Sequence, residues 1–196
     1  STLVGFRYLW KNQRVLALMI GLSSAPNIVC HPVIFLLPMF TANVLHQGPD
    51  FGGYFMAVNG AGGLIMVFLL SAFGFPKKRG MACIISALAS AVLTLIFSQS
   101  IWMPMAFLVL ALFGATQTMY RTTNGVLTQV LTDDEYRVRI TSLNRIVMGM
   151  VIFFSLGIGW FADSTSPRWS LAVMGGLAIA ISLLFFLGSK RIREQE

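Results

Sequence analysis

Residues 54–97 read YFMAVNGAGGLIMVFLLSAFGFPKKRGMACIISALASAVLTLIF. Two uncharged apolar runs, 54–75 and 81–97, are joined by one short basic turn. At about 1.5 Å per residue these runs would reach about 25 to 33 Å as helices, against a hydrocarbon core of roughly 30 Å. They far exceed the usual length of a strand, about 3 to 10 residues. The stretch therefore reads as a helical hairpin crossing a bilayer.

Outward from this hairpin, the same punctuation cuts the chain into further runs at 15–40, 102–120, 146–162 and 169–188. The expected fold is an all-α membrane protein with six transmembrane helices at 15–189, a basic cytoplasmic linker at 1–14 and a cytoplasmic tail at 190–196. Composition agrees: 56% of the 196 residues are hydrophobic and 11% charged, where soluble domains carry roughly 25% charged residues. A water-soluble globule, a disordered chain and a disulfide scaffold are excluded. Cys30 and Cys83 lie in apolar runs, and with His31 beside Cys30 as the one neighbouring ligand type neither can complete a metal site; both read as free thiols.

The net charge of +7 does not form a nucleic-acid stripe. Arg7, Lys11 and Arg14, then Lys77 to Arg79, then Arg137 and Arg139, then Lys190, Arg191 and Arg193 alternate with the apolar runs, so both termini are expected on the cytoplasmic side of a cell membrane. The opposite loops, 41–51, 98–101 and 163–168, hold only Arg168, and Trp102, Trp160 and Trp169 stand where an outer aromatic belt would lie.

Polar side chains are unevenly distributed. Runs 3 and 6 carry nothing more polar than Ser or Thr, whereas run 1 has Asn27 and His31, run 2 has Asn59, and the hairpin of runs 4 and 5 has Gln117, Arg121, Asn124, Asn144 and Arg145. Intramembrane amides and charges are costly and turn toward a bundle interior or a wet cavity. Runs 1, 2, 4 and 5 are thus expected around something polar, and runs 3 and 6 to face lipid on most sides. This three-helix period, twice repeated, implies an inverted repeat of the kind secondary transporters use.

Pro26, Pro32 and Pro38 predict a kinked first helix. His31 reads either as a proton-exchanging group or as a partner of a carbonyl that proline frees. The Asn59-Gly60-Ala61-Gly62-Gly63 patch predicts close helix packing with Asn59 as an interhelical donor. Gln117, Arg121, Asn124 and Thr128 fall on one helical face, and Arg145 lies as far from a turn at Asp133 as Arg121 does, so the two arginines should share one depth. They either snorkel to headgroups or face the cytoplasmic mouth of a cavity, where they bind a substrate's anionic group or pair with carboxylates of a further part of the protein. No run contains Asp or Glu, and HExxH and GxSxG are absent. A self-contained membrane enzyme would lack its acid and base, so no enzymatic activity and no cofactor or metal are expected.

The order of several stretches resembles the carboxy-terminal half of a major facilitator superfamily transporter, nearest the group of enterobactin-type siderophore exporters and macrolide-efflux-like proteins. They are LLPMFTANVL at 36–45, GGYFMAVNGAGGLIMVFLL from Gly52, the loop GFPKKRG at 74–80, LALFGATQTMYRTTNGVLTQVLTDDEYRVRI from Leu110 and LGIGWFAD ending at Asp163. The resemblance implies half of a twelve-helix fold, with a missing amino-terminal half or a second copy as partner. It implies a substrate path bordered by runs 1, 2, 4 and 5 and a cytoplasmic gating loop at Gly74, Lys77, Lys78 and Arg79. That loop lacks the acidic residue usual in the family, and Val138 stands where many relatives have Gly between two arginines. The expected function is proton-gradient-driven export of small amphipathic or anionic molecules by alternating access. The candidate path residues are Asn27, His31, Asn59, Gln117, Arg121, Asn124, Asn144 and Arg145. A membrane scaffold or assembly factor, its polar residues merely binding helices together, is the alternative.

Overall fold

The computed structural model describes residues 18, 20–48 and 50–188, apart from the side chains of Glu135, Arg139, Asn144, Val147 and Met148. The expected linker at 1–14 and tail at 190–196 lie outside the described residues, as does the Asn144 side chain. The described residues contain no strand. Their long helices are α1 (Ile20–Asn43), α2 (Asp50–Phe73), α3 (Arg79–Ser98), α4 (Met103–Leu131), α5 (Arg137–Ser164) and α6 (Pro167–Gly188). All but α5 are long and apolar enough to cross a bilayer, which makes the chain an all-α, multi-pass membrane protein. In α5 the apolar part is the shorter Gly149–Ser164, because its first turns carry Arg137, Arg139, Asn144 and Arg145.

Two helices run past the sequence boundaries at 120 and 146. Helix α4 continues to Leu131, and α5 starts at Arg137 after a 3₁₀ turn, Asp134–Tyr136. A charged residue ends an apolar run without ending a helix. The backbone of 121–131 contains no proline and keeps its i to i−4 bonds while its side chains turn polar. The Asp134–Arg137 ion pair at the turn, 2.8 Å, is solvent-exposed on both sides and adds little stability.

Helix α1 is irregular where its prolines fall. Ser24–Cys30 is π-helical, and the His31 amide donates to the Pro26 carbonyl at 3.1 Å, five residues back. In an α register the Pro32 ring would press on the Ile28 carbonyl. Widening the turn by one residue relieves that contact.

The packing order is α2 on α4, α4 on α3, and α3 on α6, with the π segment of α1 laid against α6 and α5. At one end the rings of Phe40, Phe55, Phe97 and Phe107 interlock, with centroids 4.6 Å apart for Phe40–Phe97 and 4.7 Å for Phe55–Phe107. They tie together α1, α2, α3 and α4. The α2–α4 contact is close enough that a Cβ on Gly62 would meet the Ala111 carbonyl, and one on Gly114 the Asn59 carbonyl. The small-residue patch thus acts as the sequence predicts, in packing.

Helix α3 departs from expectation. Half of its apolar stretch is buried within the bundle, against 17% in α2, so α3 does not face lipid on most sides. Gly80, Cys83, Ala87, Ser90, Thr94 and Ser98 form a stripe of small residues that lets α4 and α6 approach. The hydroxyls spend their hydrogen bonds within the helix: Ser90 donates to Ala87 O at 2.9 Å and Thr94 to Ser90 O at 2.9 Å. Weak polarity marked a packing surface here, not a lipid face.

Candidate functional site

The wide π turn of α1 presents Asn27 and His31 on the side that faces α4. Gln117 and Arg121, one turn apart on α4, reach across to it. The Gln117 Nε2 donates to the Pro26 carbonyl at 2.9 Å, so this oxygen accepts both the His31 amide and the Gln117 side chain. The Arg121 Nε donates to Asn27 Oδ1 at 3.2 Å. Asn27 and Gln117 are buried, and Arg121 is half-buried.

These residues border a cleft of about 220 Å³ lined by Asn27, His31, Phe35, Arg121, Val151 and Ile152. Helix α1 supplies the first three, α4 the arginine, and α5 the aliphatic wall. The His31 ring stands edge-on to Phe35, centroids 6.4 Å apart, and takes no freed carbonyl among the described residues. Gln117 occupies that role in its place.

The guanidinium of Arg121 has no acidic partner among the described residues, and its two terminal nitrogens have no hydrogen-bond partner there. A cation so placed attracts an anion, because removing it from water is costly without a counter-charge. Along the same α4 face, on either side of Arg121, Gln117 Oε1, Asn124 Oδ1 and Thr128 Oγ1 are buried without a hydrogen-bond partner among the described residues. The face is therefore polar well beyond the cleft.

The remaining candidates are placed elsewhere. Asn59 donates to the Leu110 carbonyl at 3.4 Å in the α2–α4 contact, away from the cleft. Arg145 is exposed on α5 and has no hydrogen-bond or ion-pair partner among the described residues. The structure thus does not bring the two arginines to one site. In the basic loop, Gly74 adopts a φ of +77°, which favours glycine, while Lys77 and Lys78 are exposed and Arg79 opens α3. Cations at a helix N-terminus oppose the helix dipole, so these are not there to stabilise α3.

Sequence reasoning missed Phe35, Val151 and Ile152. Phe35 sits four residues after His31 and eight after Asn27, a helical repeat that could have found it. The α5 pair carries no such mark. Among the described residues no group of His, Cys, Asp and Glu could hold a metal ion. No protein-family model matches the chain, and no curated protein or solved structure matches it either.

Proposed function

We propose that this chain is one six-helix half of a secondary active transporter, built as two inverted three-helix repeats. It would export small amphipathic or anionic molecules from the cytoplasm by alternating access, driven by a proton gradient. Its partner would be an amino-terminal six-helix half or a second copy, in a cell membrane with both termini cytoplasmic. Neither enzymatic chemistry nor a cofactor is part of this reading. The observation that carries it is the cleft between α1, α4 and α5, where a guanidinium without an acidic partner among the described residues meets the π-helical turn of α1. Intramembrane cations of this kind mark substrate or ion pathways. Broken helices at a repeat interface are where secondary transporters bind their cargo.

The exposed apolar faces of α2 and α5, with Leu64, Ile65 and Phe68 on one and Phe153, Leu156 and Trp160 on the other, fit contact with lipid and a second bundle. The basic loop at Gly74 to Arg79 would face the cytoplasm, where its cations meet anionic lipid.

The test is transport in proteoliposomes containing the intact protein, with a panel of organic anions and dyes and an imposed pH gradient. Gradient-dependent flux that is lost in Arg121→Gln supports the reading. Absence of flux for every solute under either gradient direction overturns it. The scaffold reading draws on one observation of its own: Asn59 and Gln117 both spend their amides on backbone carbonyls of neighbouring helices. It would gain from a protein that moves nothing yet falls apart when those two residues are changed.

A further inference from the structure

We propose that the α1–α4–α5 cleft binds a singly charged organic carboxylate with a compact apolar body, about the size of benzoate. This deepens the transporter reading and rests on it for the role of the bound molecule, not for the binding itself.

Charge sets the first limit. Among the described residues lining the cleft, Arg121 is the one cation and none is a carboxylate. One guanidinium balances one negative charge; a dianion would leave an excess charge beside an aliphatic wall. Hydrogen-bond geometry sets the second. With Nε already held by Asn27 Oδ1, the bidentate edge left to the guanidinium is the pair of terminal nitrogens, whose two parallel N–H groups match the two oxygens of a carboxylate. The amide of Asn27 has its oxygen spent in the same bond, leaving its NH₂ as donor, and His31 offers a ring N–H. The polar groups of the cleft therefore present mostly donors, which selects an acceptor-rich group.

Shape sets the third. Phe35, Val151 and Ile152 are the other described residues that line the cleft, and all three are apolar, which suits an apolar body on the carboxylate. The volume of about 220 Å³ is about seven times a water's share of the liquid and falls below the roughly 300 to 1,000 Å³ of drug-sized pockets. One ring or a short chain fits. The same chemistry is offered by a soluble aryl or short-chain acid and by a fatty acid that enters from the bilayer.

The experiment is saturation binding of radiolabelled benzoate to the intact protein in phosphatidylcholine nanodiscs, with displacement by decanoate, benzamide and inorganic phosphate. Saturable benzoate binding that benzamide and phosphate do not displace is the expected result. Arg121→Gln should weaken it by about ten- to a hundredfold, the range for losing a charge-assisted hydrogen bond. Arg121→Lys should recover only part, since it restores charge without the fork, and Arg168→Gln should leave binding unchanged.

Because Arg121→Gln could perturb the α1–α4 contact, Ile152→Trp serves as the second variant. Ile152 is 63% exposed, so the larger ring can be accommodated while it fills the cleft, and binding should be lost with the guanidinium intact. Decanoate binding that is sensitive to Arg121→Gln, without benzoate binding, supports the carboxylate site and assigns its source to the bilayer. Displacement by phosphate or benzamide as strong as by benzoate overturns the proposal. So does the absence of binding by both acids, or binding indifferent to both variants. Binding without transport under any gradient would sink the transporter reading alone, and gradient-driven flux of other solutes without carboxylate binding would sink the site alone.

Discussion

Single residues decide where these helices touch. The carbonyls of Ala111 and Asn59 occupy the space that a Cβ on Gly62 or Gly114 would need, and a backbone carbonyl cannot rotate away as a flexible side chain can. Gly62→Ala and Gly114→Ala should therefore each destabilise the bundle by about 1–3 kcal/mol, the usual cost of overpacking. Gly60, two residues before Gly62 in the same patch, has nothing within 4 Å of its Cβ position, and Gly60→Ala should stay within about 0.5 kcal/mol of the parent. Denaturation in mixed micelles followed by circular dichroism separates the three; equal loss at all positions would mean that α2 and α4 do not pack as described. The sequence marked this patch as small but could not rank its glycines, because which one meets a carbonyl depends on how the partner helix is rotated. The arginines carry the same lesson. Equal distance from the Asp133 turn would place Arg121 and Arg145 at one depth, yet depth says nothing of the face each helix presents. Arg121 bonds Asn27, and Arg145 has no hydrogen-bond or ion-pair partner among the described residues. Arg121→Gln should accordingly impair transport, while Arg145→Gln leaves its rate within about twofold, a difference of under roughly 0.5 kcal/mol in barrier, as vesicle flux would show.

At the scale of elements, hydrophobic runs located the helices well, because uncharged apolar stretches of such length are rare outside a bilayer. They erred where polarity and helicity part company. The run through α4 stops at Tyr120 and the helix at Leu131, since hydropathy reports the surroundings and backbone bonding reports the helix. The π turn of α1 was half legible: three prolines announce a distortion, but not that Gln117 would secure it from another helix by bonding the Pro26 carbonyl. In α3 the Ser and Thr hydroxyls add little polarity, which by hydropathy alone resembles a lipid-facing run. Their regular spacing with Gly80, Cys83 and Ala87 is that of a close-packing stripe. The stripe makes a measurable demand. Ser90 is fully buried, and Ser90→Leu should cost about 1–3 kcal/mol by driving α3 away from its neighbours. Ile85 is 57% exposed on the same helix, and Ile85→Leu should be neutral to within about 0.5 kcal/mol. If the two behaved alike in the same micelle titration, α3 would lie outside the bundle after all.

For the molecule as a whole, the arrangement of its two halves turns on α5. Its apolar part, Gly149–Ser164, would reach about 24 Å as a helix, short of a core of roughly 30 Å. To cross, α5 must carry its Arg145 turn into the edge of the hydrocarbon, and an exposed arginine there can extend its head to the interface while its stem stays in lipid. If α5 crosses, the loop before it and the loop after it lie on opposite sides, α6 returns, and the two three-helix groups have opposite senses. If it does not, α6 is reversed and no inverted repeat exists. Both native thiols, Cys30 and Cys83, are buried, so single introduced cysteines report with little background. With an impermeant maleimide on intact cells, cysteine at Gln47 or Ser164 should label directly. Cysteine at Lys78 or Asp134 should label only once the membrane is opened. All four positions are exposed, so a failure to label reports sidedness and not burial. Labelling at 134 and 164 from the same side would leave α5 at the surface of the bilayer, and the proposed repeat, with the transport cycle built on it, would fall.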